Sequence, residues 1–172
     1  MRKIGAKKIS YDSTTKRDKR NCVKAIVIHY TGNMRDTAEN NCRYFADGNT
    51  RQAGAHFFID RAGVCIKSIN MNRTAWAVGG DHRSGRKGEA KYYKKFTNYN
   101  TVSIELCDIV NKYPSKKQIQ AVRECIKYIR KYCPYAKKVV RHFDINGKEC
   151  PASMLDSKTW NRFLIDIGEK DV

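Results

Sequence analysis

The sequence predicts a mixed α/β (α+β) fold: one domain, with a central mixed β-sheet flanked by helices. Three observations lead there. Short runs rich in β-branched residues, such as KAIVIHY at 24–30 and TVSIELC at 101–107, read as strands. Longer stretches, at 119–133 and 160–167, carry apolar residues at helical spacing. Strand and helix signals do not alternate strictly, which argues against a doubly wound parallel sheet. A chain of 172 residues suffices to bury a core with no disulfide or metal staple.

Each element has its own signal. Residues 1–21 are polar and basic and read as a partly ordered lead-in, so the domain proper is expected over 22–172. The run at 24–30 is a buried strand ending near His29. A helix follows, opened by Asp36 with Glu39 three residues later and stopped by Gly48, with Ala38, Cys42, Phe45 and Ala46 on one face. Residues 55–69 are two strands joined by a Gly-containing turn, hence a hairpin. Residues 79–100 have no period and are rich in Gly, Lys, Tyr and Asn, so a long loop is expected, of the kind that tends to be functional. In the strand at 101–107, Val102, Ile104 and Leu106 form the apolar face, and Ser103, Glu105 and Cys107 the polar one. SKKQ at 115–118 is a capping box for a helix whose stripe is Ile119, Val122, Ile126, Ile129 and Cys133, and Pro134 ends it. KVVRH is a strand ending at His142, and Trp160, Phe163, Leu164 and Ile167 mark a last helix.

Composition narrows the function. The net charge of +18 is dispersed: eight Lys or Arg fall in residues 1–20 and six more between Arg83 and Lys95. Such a surface attracts polyanions, whether nucleic acid, acidic membrane or anionic cell wall, and charge alone does not choose among them. No run approaches the roughly 18 apolar residues of a membrane helix, and the basic N-terminus lacks the apolar core of a signal peptide. Seven cysteines, an odd number without a Cys-x-x-Cys, point to free thiols in a reducing compartment.

Two candidate chemistry-bearing residues lie at strand ends. His29 and His142 both stand where an apolar strand gives way to polar sequence, the place where functional groups leave a rigid scaffold. Singly, each reads as a structural histidine. With Cys150, two neutral imidazoles and a thiolate make a three-ligand Zn2+ site that leaves a fourth position for water. The Gly-containing INGKEC gives the chain freedom to turn back to the ion. Zinc hydrolysis also needs a base and a cation for the developing oxyanion. Glu105, on the polar face of its strand, is the candidate base, and Lys148, two residues before Cys150, the candidate cation.

VIHYTG, AHFFIDRAG, AW at 75–76, NTVSIELC and RHFDINGKECP, with a downstream Trp160, together resemble the zinc-dependent N-acetylmuramoyl-L-alanine amidases of the type-2 family. These are relatives of the peptidoglycan recognition proteins, and the nearest flavour is the catalytic domain of a clostridial phage or prophage endolysin. The resemblance covers roughly residues 22–165 in the right order. It implies an amidase-2-like fold, one Zn2+ on His29, His142 and Cys150, Glu105 as acid–base and Lys148 on the oxyanion. His56 and Trp76 become candidate substrate-binding residues. The implied reaction is hydrolysis of the amide between N-acetylmuramic acid and L-alanine of the stem peptide. The chain departs from the pattern at Ala77, where many relatives have a groove-lining histidine, and at Ala55, where some have tyrosine.

The partners implied are peptidoglycan and anionic wall polymers, with no nucleic acid, no membrane insertion and a monomeric state. The expected route is synthesis in the cytoplasm without a signal peptide and action on the bacterial cell wall after release. Rival readings explain less. A cysteine peptidase using Cys150 and His142 leaves His29, Glu105 and Lys148 without roles. A zinc-bearing nucleic-acid module lacks paired Cys-x-x-Cys or His-x-x-x-His spacing. SGRK at 84–87 matches a Ser-x-x-Lys motif only formally, and His82 in the same basic loop reads as exposed. The serious alternative is a catalytically inactive peptidoglycan-binding relative, against which stands the full set of ligands, Glu105 and Lys148.

Overall fold

A computed structural model describes residues 1–12, 16–79 and 90–169. The strands are β1 (Arg2–Lys3), β2 (Ala25–Tyr30), β3 (Phe57–Ile59), β4 (Cys65–Lys67), β5 (Thr101–Leu106) and β6 (Lys138–Arg141). The helices are α1 (Lys19–Cys22), α2 (Ala38–Ala46), α3 (Lys116–Tyr132), α4 (Phe143–Asn146) and α5 (Ser157–Asp166). One six-stranded sheet runs in the order β1-β4-β3-β5-β2-β6. Only the β3–β4 hairpin is antiparallel; the other neighbours are parallel. This is the mixed sheet that the irregular mixture of signals predicts.

Alternation along the strands sorts side chains to two faces. Ile26, Ile28, Phe57, Ile59, Val102, Ile104 and Leu106 meet Val122, Cys125, Ile126 and Ile129 of α3 and Trp160 and Phe163 of α5. On the other face Phe58, Ile66 and Cys107 pack on Ala38 and Cys42 of α2, while Ala25, Val27 and Val140 pack on Val78, Phe96 and Ile145. The sheet is therefore covered on both faces. Ser103 and Cys107, expected on a polar face of β5, are buried. The period-2 pattern locates the strand but says nothing of what the second layer brings.

Two helix starts differ from the sequence expectation. Thr37, not Asp36, caps α2, its side chain accepting from the Asn40 N–H at 3.1 Å. Ser115 caps α3 as expected, but Gln118 does not close the box. Its buried Nε2 donates instead to the carbonyls of Ile59 and Cys107, at 2.9 and 3.0 Å, tying α3 to the ends of β3 and β5. A buried side-chain donor satisfies backbone acceptors there more usefully than a solvent-facing cap. In the hairpin turn, Gly63 has φ +85°, and a Cβ would lie 3.0 Å from the Lys117 carbonyl oxygen. Only glycine fits that approach.

The basic lead-in contributes to the domain. β1 pairs with β4 at the sheet edge, and Arg17 donates to the carbonyls of Met71, Asn98 and Tyr99 at 2.9 to 3.0 Å. Within the expected loop at 79–100, described residues 90–100 form turns ending in a 3-10 turn at Asn98–Asn100. His82 and SGRK at 84–87 lie outside the described residues. All seven cysteines are free, in line with the reading of thiols. Among the described residues no helix is long and apolar enough to cross a membrane.

Candidate active site

The parallel strands β2, β5 and β6 end side by side, and His29, Glu105 and His142 sit at those ends. His29 is in register with Glu105 across β2 and β5. In a parallel α/β sheet the carboxyl ends of the strands are where ligand sites open. β6 gives way directly to α4, whose end at Gly147 has the left-handed φ of +78°. That turn reverses the chain and returns Lys148 to Cys150 toward β2. The Phe143 N–H donates to the Cys150 carbonyl at 3.0 Å, closing the loop beneath His142.

A buried ion pair holds this loop. Asp144 accepts from the Arg141 backbone N–H at 2.9 Å and from Arg141 Nη2 at 2.8 Å. Arg141 Nη1 donates to the carbonyls of Met154 and Leu155 at 2.9 and 2.7 Å. Both side chains are buried, so the pair fixes the residues on either side of His142 from beneath the site.

His29, His142 and Cys150 converge. Their ligand atoms lie within 4.8 Å of one another, and all three residues are buried. His29 Nδ1 stands 3.7 Å from Cys150 Sγ, and His29 Nε2 is buried with no hydrogen-bond partner. Tetrahedral zinc, with Zn–S near 2.3 Å and Zn–N near 2.05 Å, sets N and S ligand atoms about 3.6 Å apart. The donor set fits the ion, and the His29–Cys150 separation is close to that spacing. Burial, reinforced by the nearby charges of His142, Lys148 and His56, holds His29 well below the usual histidine value, in the neutral form that binds metal. Burial, with Glu105 nearby, pushes the Cys150 thiol up to about 12, so this sulfur carries a proton until a cation replaces it.

Beside this cluster a cleft of about 550 Å³ opens between the metal loop and α2, with Glu105 and Lys148 in its lining. Burial raises the Glu105 carboxyl to about 7; Asp36 adds to the rise and Lys148 opposes it. Glu105 Oε2 is sealed from solvent without a hydrogen-bond partner. Lys148 is exposed at the cleft. The structure thus brings together five of the seven residues singled out in the sequence.

The other two stand apart. His56 is fully buried, and its ring is committed: Nδ1 accepts from the Ser103 N–H at 3.0 Å and Nε2 faces the Arg73 carbonyl at 3.1 Å. The Ser103 bond places the ring proton on Nε2. The Arg17 guanidinium lies 3.0 Å from the same nitrogen, and burial together with that charge lowers His56 to about 3. These contacts tie β5 to the segments around it. Trp76 is half-buried against Tyr99, with backbone bonds to Ser10 and Gly54, and lines no part of the cleft. The wall that the sequence reading missed comes from Thr31, Asp36, Asn40, Asn41, Tyr44 and Arg51. Its one local signal is the polar pair Asn40–Asn41 on a helix otherwise read through its apolar stripe.

The model of the N-acetylmuramoyl-L-alanine amidase family matches residues 18–153. The chain belongs to this family. Among curated relatives, the N-acetylmuramoyl-L-alanine amidase BlyA of Bacillus subtilis (strain 168) is 28% identical over 137 residues, 76% of this chain and 36% of that protein. CwlH, an N-acetylmuramoyl-L-alanine amidase of the same strain, is 26% identical over 148 residues, 85% of this chain and 53% of that protein. The chain therefore spans about a third to a half of the length of these relatives. Among solved structures, PlyL superposes with a TM-score of 0.71 at 23% identity, covering 100% of this chain and 99% of PlyL. The amidase LysC from Clostridium intestinale URNW gives 0.61 at 17% identity, covering 99% of each chain. At these identities the likeness shows the fold, and it agrees with the mixed sheet of this amidase-family domain.

Proposed function

We propose that this domain hydrolyses the amide joining the lactyl group of N-acetylmuramic acid to L-alanine of the peptidoglycan stem peptide, using Zn2+ held by His29, His142 and Cys150. The carrying observation is the convergence of three buried ligand atoms within 4.8 Å at the head of a cleft lined by Glu105 and Lys148. Family membership supports the choice of bond. When bound, zinc supplies a Lewis acid for the carbonyl and lowers the pKa of water toward ~7. Glu105 takes a proton from the attacking water and passes it to the leaving L-alanine nitrogen, a task suited to a carboxyl near neutrality. Lys148 places its ammonium by the negative charge that grows on the carbonyl oxygen. Water adds to the carbonyl carbon, the C–N bond breaks, and both water protons end on the nitrogen, leaving a lactyl carboxylate and an L-alanine ammonium.

The cleft accepts the stem peptide along α2, and the site of action is the bacterial wall, as an endolysin or autolysin, with one zinc per monomeric chain. The +18 charge favours association with anionic wall polymers. Mass spectrometry of digested peptidoglycan tests the reading. Free L-alanine amino termini on uncut glycan strands are expected. New reducing ends, or cuts inside the stem peptide, would overturn it. Zinc-loaded protein that binds peptidoglycan and releases no amines would establish the inactive relative instead.

A further inference from the structure

A second concavity lies away from the cleft, against the open edge of the sheet. It is about 420 Å³ and runs between β6, α5 and the turn at 91–92. Its cations are Lys91, Lys137 and Lys138, and its acids are Asp144 and Glu169. The acids are already neutralised: Arg141 holds Asp144, and Arg130 holds Glu169 by two bonds of 2.6 and 2.9 Å. Among the described residues the three lysines form no ion pair, so the described lining carries an excess of positive charge. The strand edge adds a donor. His142 N–H bonds back to Ile28, and Arg141 N–H points outward to Asp144, so alternation directs the Val139 N–H outward as well, into this cleft. The floor between these polar groups is apolar, formed by Val139, Leu164 and Trp160.

We infer that this cleft binds a polyol-phosphate strand of the cell wall, a linear phosphodiester polymer of the teichoic type, separately from the catalytic cleft. The wall as the source rests on the proposed function above; the chemistry rests on the cleft. Phosphates on a flexible polyol chain suit three lysines set around an apolar floor. A nucleic acid matches less well, because single strands are held by stacking bases on aromatic faces. No such face is open here. Trp160 is 6% exposed, stacked on Phe163 at 5.4 Å, with the Arg141 guanidinium 5.2 Å over its ring. Tyr92 is packed on Phe96 and carries Lys91 and Lys95 over its ring.

The test is titration of the full chain with purified poly(glycerol phosphate), which contains no muramyl amide, so the result stands apart from the amidase assay. The variant Lys91→Ala/Lys137→Ala/Lys138→Ala is compared with Lys3→Ala/Lys7→Ala/Lys8→Ala, which removes equal charge at the opposite sheet edge. Affinity should fall roughly tenfold in the first and no more than about twofold in the second, with the salt dependence of binding shallower by about two to three phosphate contacts. Replacing the three lysines by arginine should restore binding, and melting curves confirm that each variant folds. Equal losses in both triple variants would reduce the effect to diffuse charge. An oligo(dT) of matched charge that binds as tightly, and is lost with the same three lysines, would overturn the polyol-phosphate assignment.

Discussion

Asp144→Ala should damage this protein more than any surface change, and the structure sets the size of the effect. Asp144 is 1% exposed and Arg141 6%, so their pair lies out of water. The aspartate accepts from Arg141 Nη2 at 2.8 Å and from its backbone N–H at 2.9 Å, while Nε lies 3.3 Å from both carboxylate oxygens. Truncation leaves a guanidinium buried without its counter-charge and a strand N–H without its acceptor. Breaking a buried pair in this way costs about 3–5 kcal/mol. In a domain of this size each kcal/mol lowers Tm by about 2–4 °C, so circular dichroism melts of metal-free protein should shift down by about 6–20 °C. Arg141→Met combined with Asp144→Leu should recover part of the loss, because no charge is then stranded. The recovery stays partial, since Arg141 also satisfies the carbonyls of Met154 and Leu155. Zinc affinity should fall about 10–100-fold in Asp144→Ala, because the pair orients the loop that carries His142 and Cys150. A Tm within about 2 °C of wild type would mean that the loop is held by packing alone, and would refute the argument.

Other perturbations separate the remaining roles. Glu105→Gln should keep zinc and fold yet lower kcat by ~10²–10⁴-fold, and Lys148→Ala by about 10²–10³-fold; activity within about twofold of wild type, with zinc retained, removes that residue from the mechanism. Zinc binding should release a proton from Cys150, whose thiol lies near 12, so the apparent affinity measured by competition with a chelator rises with pH, and Cys150→Ser loses most of the bound metal on elemental analysis. Buried His56 sits at about 3 against 6.5 for a free side chain, so metal-free protein should hold full stability from this residue above about pH 6.5 and lose roughly 1.4 kcal/mol per unit as pH falls toward 3. Urea titrations across that window should show a shallower slope in His56→Gln, and an unchanged slope would assign the acid sensitivity elsewhere. Lysis of whole cells should weaken steeply with added salt while cleavage of a short soluble muropeptide changes little, since exposed charges are screened beyond ~8 Å at physiological ionic strength.

The sequence by itself determined most of the elements and singled out the candidate site residues. Period-2 and helical patterns placed β2, the β3–β4 hairpin, β5, α3, β6 and α5, because those patterns follow from which side chains must leave water. Position at strand ends singled out His29 and His142, the polar face of its strand Glu105, and the loop after His142 Lys148 and Cys150. Tertiary structure alone decided which polar residues face the cleft and which are spent holding the fold. His56 and Trp76 are as suggestive in the string as His29, yet the fold commits one to Ser103 and Arg73 and packs the other on Tyr99. Asp36 reads as a helix cap and lines the cleft, while Gln118 reads as part of a capping box and braces two strands. The reason is range: periodicity and capping are set within a few residues along the chain. Whether a buried polar atom meets a protein partner or an open cleft depends on distant segments, such as Ser103, 47 positions from His56, or Cys150, 121 positions from His29, which only the assembled sheet brings into contact.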